Sequence, residues 1–212
     1  MFSGIIEHQA KILSCEWGVF RVENTFDSLV HQDTGFMLTG EWKEVESLKL
    51  WQSIAHDGAC MTLTKITPEY YEFFSMQESL SVTNLGSKRV GDTFNVERCL
   101  KLWDRIDGHF VSGHIDTVWK VILLEKQIDG SLIFGVSYDP QYTPLVIKKW
   151  SITINGVSLT VVEIDSGSLT VSLIPLTQEW TNLGVSNLWE SVNLEFDQIW
   201  KYIQRMMSKT SG

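Results

Sequence analysis

Two of the five histidines, His109 and His114, stand five residues apart in Asp107-Gly-His-Phe-Val-Ser-Gly-His-Ile-Asp116. Imidazole titrates near neutrality, so such a pair is a candidate for moving protons. On a regular strand, however, that spacing puts the side chains on opposite faces, and two structural histidines near a domain junction would look the same. Cys60 is the second candidate. A thiol is a nucleophile only when ionised and is otherwise a small buried hydrophobe. The three cysteines, Cys15, Cys60 and Cys99, are odd in number and lack C-x-x-C spacing, so free thiols are expected rather than a disulfide framework or a metal site.

The elements that must position these residues are organised by an internal repeat. Ser112-Gly-His-Ile-Asp116 echoes Ser3-Gly-Ile-Ile-Glu7 at an offset of 109. Ser53-Ile-Ala-His-Asp-Gly-Ala-Cys-Met-Thr-Leu-Thr64 matches Ser151-Ile-Thr-Ile-Asn-Gly-Val-Ser-Leu-Thr-Val-Val162 at an offset of 98, and Asp57-Gly58 and Asn155-Gly156 are strong signals for tight hairpin turns. The same offset carries Thr83-Asn-Leu-Gly86 onto Thr181-Asn-Leu-Gly184, and Phe94-Asn-Val-Glu97 onto Val192-Asn-Leu-Glu195. Cys60 thereby pairs with Ser158, a polar exchange that hints at a wet pocket wall. The fall in offset from 109 to 98 places 11 extra residues in the first copy, within residues 14–50. Apart from a strand-like alternation at Phe20-Arg-Val-Glu-Asn24, that stretch has no clear period.

Each copy offers short strands separated by turn residues, the pattern of a small antiparallel barrel or sandwich. Phe196, Ile199, Trp200, Ile203, Met206 and Met207 instead follow a helical period, with Lys201, Gln204 and Arg205 between them. This amphipathic helix is suited to docking on another subunit. With 212 residues, 43% hydrophobic and 20% charged, the composition is that of an ordinary globular protein. A net charge of −9 without a Lys/Arg cluster argues against nucleic acid and anionic lipid as partners. No run approaches the roughly 20 apolar residues of a membrane span, and the start of the chain lacks a secretory signal; a cytoplasmic protein is expected.

Read together, Met1-Phe-Ser-Gly-Ile-Ile-Glu7, the Asp-Gly hairpin ending in Cys60-Met-Thr62, Thr-Asn-Leu-Gly86, Asn-Val-Glu-Arg98, Gly-His-Phe-Val-Ser-Gly-His114, Asn-Gly-Val-Ser-Leu-Thr160 and Ile-Pro175 resemble the riboflavin synthase family, over roughly residues 1–13 and 51–207. The resemblance implies an all-β fold of two tandem homologous six-stranded antiparallel Greek-key barrels, residues 1–107 and 108–195, followed by a C-terminal oligomerisation helix at 196–212. It implies a homotrimer with active sites between subunits, lumazine synthase as a partner, no cofactor and no metal. The implied reaction is a dismutation of two 6,7-dimethyl-8-ribityllumazine molecules by transfer of a four-carbon unit, giving riboflavin and a ribityl-diaminopyrimidinedione. Holding both substrates in register would supply up to about 7–11 kcal/mol of the barrier.

Carried over by position, the residues important for activity are Ser53, Cys60, His109 and His114, together with Phe2 and Asp197. Substrate contacts fall in the first copy on Gly4, Ile5 and Ile6; on Met61 and Thr62 beside Cys60; on Phe74, Ser75, Met76, Gln77, Glu78 and Ser79; and on Gly113 and Ile115 around His114. In the second copy they fall on Lys149, on Ser158, Leu159 and Thr160, and on Ser172, Leu173, Ile174, Pro175, Leu176 and Thr177. Without the match, Lys149 beside Lys148 would read as a solvated charge. The chain departs from the family where basic residues commonly follow Glu78-Ser79-Leu80 and Thr177-Gln178-Glu179, and where glycine is common at Trp51 and Asp107. The alternative reading is a non-catalytic relative that binds a lumazine or flavin. The retention of Ser53, Cys60, both histidines, Ser158 and Lys149 favours the enzyme.

Overall fold

The structure is a computed structural model that describes residues 1–26 and 47–210. Strands β1 (His8–Glu16), β2 (Val19–Glu23), β3 (Ser53–His56), β4 (Ala59–Ile66), β5 (Tyr70–Phe74) and β6 (Thr93–Arg98) close a barrel in the order β1-β2-β5-β4-β3-β6. Strands β7 (Thr117–Lys126), β8 (Leu132–Ser137), β9 (Ser151–Ile154), β10 (Val157–Asp165), β11 (Ser168–Leu173) and β12 (Ser191–Phe196) close a second barrel in the equivalent order. All neighbours are antiparallel, giving the duplicated Greek-key barrel that the resemblance implied. Register shifts at Ile12/Ser14 and Val121/Leu123, and at Leu63/Lys65 and Val161/Glu163, sit at matching places and supply the bends that closure needs.

Alternation along the strands sends one face inward. In the first barrel Phe73 and Phe94 pack on His56, whose Nε2 lies 3.0 Å from the Tyr71 hydroxyl, and Phe20 stacks on Phe73. In the second, Trp119 stacks on Tyr138, and Tyr142 on Phe196. Short helices α1 (Gln77–Val82) and α2 (Pro175–Trp180) lead into the turns at Asn84–Ser87 and Asn182–Val185. Helix α3 (Gln198–Thr210) ends the described chain. Phe196, expected to begin that helix, is instead the buried last residue of β12. Asp197 accepts from Ile199 N at 2.8 Å and so caps α3, satisfying a donor that the helix start leaves open.

The two hairpin turns meet. Asp57-Gly58 and Asn155-Gly156 all have positive φ, and a Cβ on either glycine would fall 2.7–2.8 Å from the other glycine's backbone nitrogen, so only glycine allows the contact. Around this point asparagines cross between barrels. Asn84 N donates to Asn193 Oδ1 and Asn182 N to Asn95 Oδ1, while the Asn193 and Asn95 side-chain amides donate to the carbonyls of Asp57 and Asn155. The repeated Thr-Asn-Leu-Gly motif is therefore a cross-barrel clasp. Asp57 breaks its symmetry: buried, it accepts from Asn84, Asn95 and Asn182 and pairs with Lys88 at 2.7 Å, where the second copy has neutral Asn155.

The extra length of the first copy lies between β2 and β3, where 29 residues stand against 13 between β8 and β9. A longer connection between β7 and β8 offsets part of it. Residues 27–46 of that stretch lie outside the described residues. The alternation at Phe20 is β2, as expected.

Candidate functional site

In the β3–β4 hairpin, Ile54, His56, Ala59 and Met61 face the barrel interior, so the alternate residues Ser53, Ala55, Cys60 and Thr62 face outward. Ser53 pairs with Thr62 and Ala55 with Cys60, which puts all four on one patch. The equivalent patch on β9–β10 carries Ser151, Thr153, Ser158 and Thr160. Each patch is crossed by a Ser-Gly segment. Cys60 N donates to Gly113 O at 2.8 Å, and Ser158 N donates to Gly4 O at 2.8 Å. A Cβ on Gly113 would sit 2.6 Å from Cys60 Cβ, and one on Gly4 2.6 Å from Ser158 Cβ; both glycines have φ near +80°. No other residue lets the segments lie so close.

These segments are exchanged between barrels. Glu97 on β6 accepts from Ser3 N, Ser3 Oγ and Gly4 N, yet Gly4 covers the second barrel's patch and Ile6 enters the second barrel's core. Glu195 on β12 accepts from Ser112 N, Ser112 Oγ and Gly113 N, while Gly113 covers Cys60 and Ile115 packs on the first barrel's core. Gly4, Ile5 and Ile6, grouped by sequence with the first copy, thus run from Phe2 to the second barrel, while Gly113 and Ile115 lie against the first. Backbone bonds between Phe2 and Val111 tie the two segments together. Burial pushes both clamp carboxyls up, Glu97 to about 7, against the pull of the donors they accept from.

The two patches have different chemistry. On the first, Cys60 is half-buried against Phe2, Ala55, Val111 and Cys99. Burial raises its pKa, and the bonded Ser53 hydroxyl opposes that, so the resting group is a neutral thiol. On the second, His109 Nδ1 lies 2.7 Å from Ser158 Oγ and its Nε2 lies 3.1 Å from Thr153 Oγ1. Burial lowers the His109 pKa while the Asp197 charge raises it. Asp197 occupies the place that the 98-residue offset gives to Cys99. A thiol-and-hydroxyl patch in the first copy therefore corresponds to a hydroxyl, imidazole and carboxylate patch in the second.

His109 and His114 are not brought together. The segment is not a regular strand, and His109 joins the second barrel's cluster while His114 is exposed beside the first barrel's segment, its N bonded to Ser112 Oγ. Phe2 and Met61 are buried, and Thr62 and Thr160 are open to solvent. Phe74 to Ser79 form the connection from β5 into α1 and Ser172 to Thr177 that from β11 into α2, both outside the hydrogen-bonded clusters at Cys60 and Ser158; Phe74, Met76 and Ile174 are exposed. The buried Ser75 hydroxyl has no hydrogen-bond partner among the described residues. Leu159 packs on the second barrel's core, and Lys149 is exposed at φ 67° with its N bonded to Val161 O. Thr153, Cys99, Glu97 and Glu195 were not singled out from the sequence. Only the repetition of Ser-Gly at one offset and of glutamate at the other pointed toward the clamps.

Among known proteins, the family model of the lumazine binding domain matches residues 3–99 and 112–197, one match per barrel. A riboflavin synthase of Escherichia coli (strain K12) is 37% identical over 197 residues, spanning 93% of this chain and 87% of that protein. One from Bacillus subtilis (strain 168) is 31% identical, spanning 92% and 90%. Among solved structures, LumP complexed with 6,7-dimethyl-8-(1'-D-ribityl) lumazine superposes with a TM-score of 0.74 at 21% identity, covering 92% of this chain and 99% of that one, a likeness of fold. With both barrels matched and curated relatives running nearly end to end, the chain belongs to the riboflavin synthase family, built from two lumazine binding domains.

Proposed function

We propose that the chain dismutates two molecules of 6,7-dimethyl-8-ribityllumazine: one transfers a four-carbon unit to the other, leaving riboflavin and 5-amino-6-ribitylaminopyrimidinedione. The observation that carries this reading is the pair of homologous patches, each crossed by a Ser-Gly segment and each lined by groups suited to proton transfer or to fixing polar substrate atoms. One lumazine lies over Ser53, Cys60, Thr62 and the Gly113–Ile115 segment. The other lies over His109, Ser158, Thr160 and the Gly4–Ile6 segment, with Lys149 and Asp197 nearby.

The unlike patches give the like substrates different surroundings, so donor and acceptor are distinguished. A neutral Cys60 thiol is a weak donor and a polarisable wall, and becomes a nucleophile only after losing its proton. Holding two substrates face to face requires the two patches to be brought together, and we assign this to a homotrimer assembled through α3. That assembly is supported by the exposure of Ile199, Tyr202, Met206 and Met207 along α3, while Lys201 pairs with Asp116 and Trp200 Nε1 donates to Pro144 O to hold the helix against the second barrel. A cytoplasmic setting and a lumazine synthase partner fit the same reading. Incubation of the purified chain with the lumazine should generate riboflavin absorbance and fluorescence; tight binding with no riboflavin would overturn the enzymatic reading.

A further inference from the structure

The geometry points to Thr153 and His109 as positioning residues that turn Ser158 into a hydrogen-bond donor aimed at an acceptor atom of the second barrel's ligand. Thr153 is 1% exposed on β9, and its hydroxyl has one hydrogen-bond partner among the described residues, His109 Nε2 at 3.1 Å. A buried hydroxyl that cannot donate carries the full desolvation penalty, so the Thr153 proton goes to Nε2. Nε2 is then the lone-pair nitrogen. Because burial holds the ring neutral, its single N–H is on Nδ1 and donates to Ser158 Oγ at 2.7 Å. Ser158 Oγ accepts, and its own proton is left for the open side of the patch.

This polarity is the reverse of a serine activated by histidine, in which the imidazole accepts the hydroxyl proton. The inference rests on the proposed function for the ligand's identity: a carbonyl or hydroxyl oxygen of the lumazine fits a donor at this point. Gly108 is what lets the imidazole approach, since a Cβ there would lie 2.1 Å from Ser3 O and 2.8 Å from Ser158 Cβ. The first barrel has Ala55 and Cys60 in place of Thr153 and Ser158, so the relay belongs to one patch only.

Nitrogen NMR on the full chain labelled in histidine tests this directly, with the His109 signal identified by its loss in His109→Gln. The wild type should show the neutral Nδ1–H tautomer. Thr153→Val should abolish that bias and weaken lumazine binding about fivefold to tenfold, the loss of one hydrogen bond, and Thr153→Ser should restore both. An Nε2–H tautomer in the wild type overturns the relay, as does a Thr153→Val variant with tautomer and affinity unchanged. If Thr153→Val does not fold, the wild-type tautomer alone decides. That reading holds whether or not riboflavin is formed, so failure of the relay and failure of the proposed reaction are distinguishable.

A second observation is independent. Trp17, Trp51, Trp103 and Trp189 adopt φ of 52°, 67°, 77° and 70° and are 70–94% exposed. The other described non-glycine residues with positive φ are Asp57, Asn155 and Lys149, the last at the repeat position of Trp51; asparagine and aspartate adopt that region far more readily than bulky side chains do. Trp189 stands at the repeat position of Gly91, which has φ 97°; Trp17 precedes Gly18 in a two-residue hairpin turn that calls for Asn-Gly or Gly-Gly. None of the four indoles is buried. We infer that the native host reads these four codons as glycine, as follows if they are UGA, which different genetic codes assign to stop, tryptophan or glycine. Peptide mass mapping of the protein from its native host should find glycine at all four positions, and tryptophan there would overturn the inference.

Discussion

Replacing Trp51, Trp103 and Trp189 by glycine in the chain as written should raise its stability. Each has its backbone in the left-handed region, which costs an L-residue roughly 1–2 kcal/mol. Glycine removes that cost but loses more backbone entropy on folding, by roughly 0.5–1 kcal/mol. The exposed indoles, 73%, 92% and 70% accessible, give up little buried area when removed. The balance is a gain of about 0.5–1 kcal/mol per site. The sites lie in separate turns, before β3, after β6 and before β12, so the gains should add to about 1.5–3 kcal/mol. At roughly 2–4 °C per kcal/mol for a chain of this length, the triple variant should melt about 3–12 °C higher. Scanning calorimetry of the single and triple variants reads this. Asp57→Gly is the control: it too has positive φ, but its carboxylate holds Lys88 and three asparagines, so that variant should be destabilised. Unchanged or lower melting of the tryptophan variants would refute the reasoning from φ.

Glu195→Ala removes three hydrogen bonds that hold Ser112-Gly113 over Cys60, so a change on the second barrel should impair ligand binding at the first. A loss of about fivefold to 150-fold in lumazine affinity is expected from about 1–3 kcal/mol of unmet bonding, checked by fluorescence titration. His56 is buried with its pKa lowered from 6.5 to about 3. Below pH 6.5 the unfolded chain takes up a proton that the folded chain refuses, so this group leaves stability flat above 6.5 and erodes it by about 1.4 kcal/mol per pH unit down to about 3. Urea midpoints measured between about pH 7.5 and about pH 5 should fall less in His56→Leu than in the parent; equal slopes would remove His56 as a cause. Deleting α3 after Asp197, whose side chain is retained for His109, should give monomers with little activity, read by light scattering and by riboflavin formation.

The duplication was legible because strand alternation, Asp-Gly and Asn-Gly turns and Thr-Asn-Leu-Gly are local signals that recur at one offset. Their consequences were not. Asn84 and Asn182 matter for what they bond in the other barrel, and the exchange of the Gly4 and Gly113 segments depends on Glu97 and Glu195, more than eighty residues from the serines they hold. His109 and His114 looked like a pair because they are close in sequence. The partners of His109, Thr153 and Ser158, lie 44 and 49 residues away. Phe196 fitted the helical period of α3 yet ends β12, since one apolar residue can serve either pattern and barrel closure decides.

The central claim is that each duplicated chain binds two like substrates on two unlike patches, which assembly brings together for the group transfer. Lumazine titration of the assembled protein, followed by product analysis, tests it most directly. The account requires two lumazines bound per chain and one riboflavin formed with one pyrimidinedione for every two lumazines consumed. One lumazine per chain, or two bound with no riboflavin released, would contradict it.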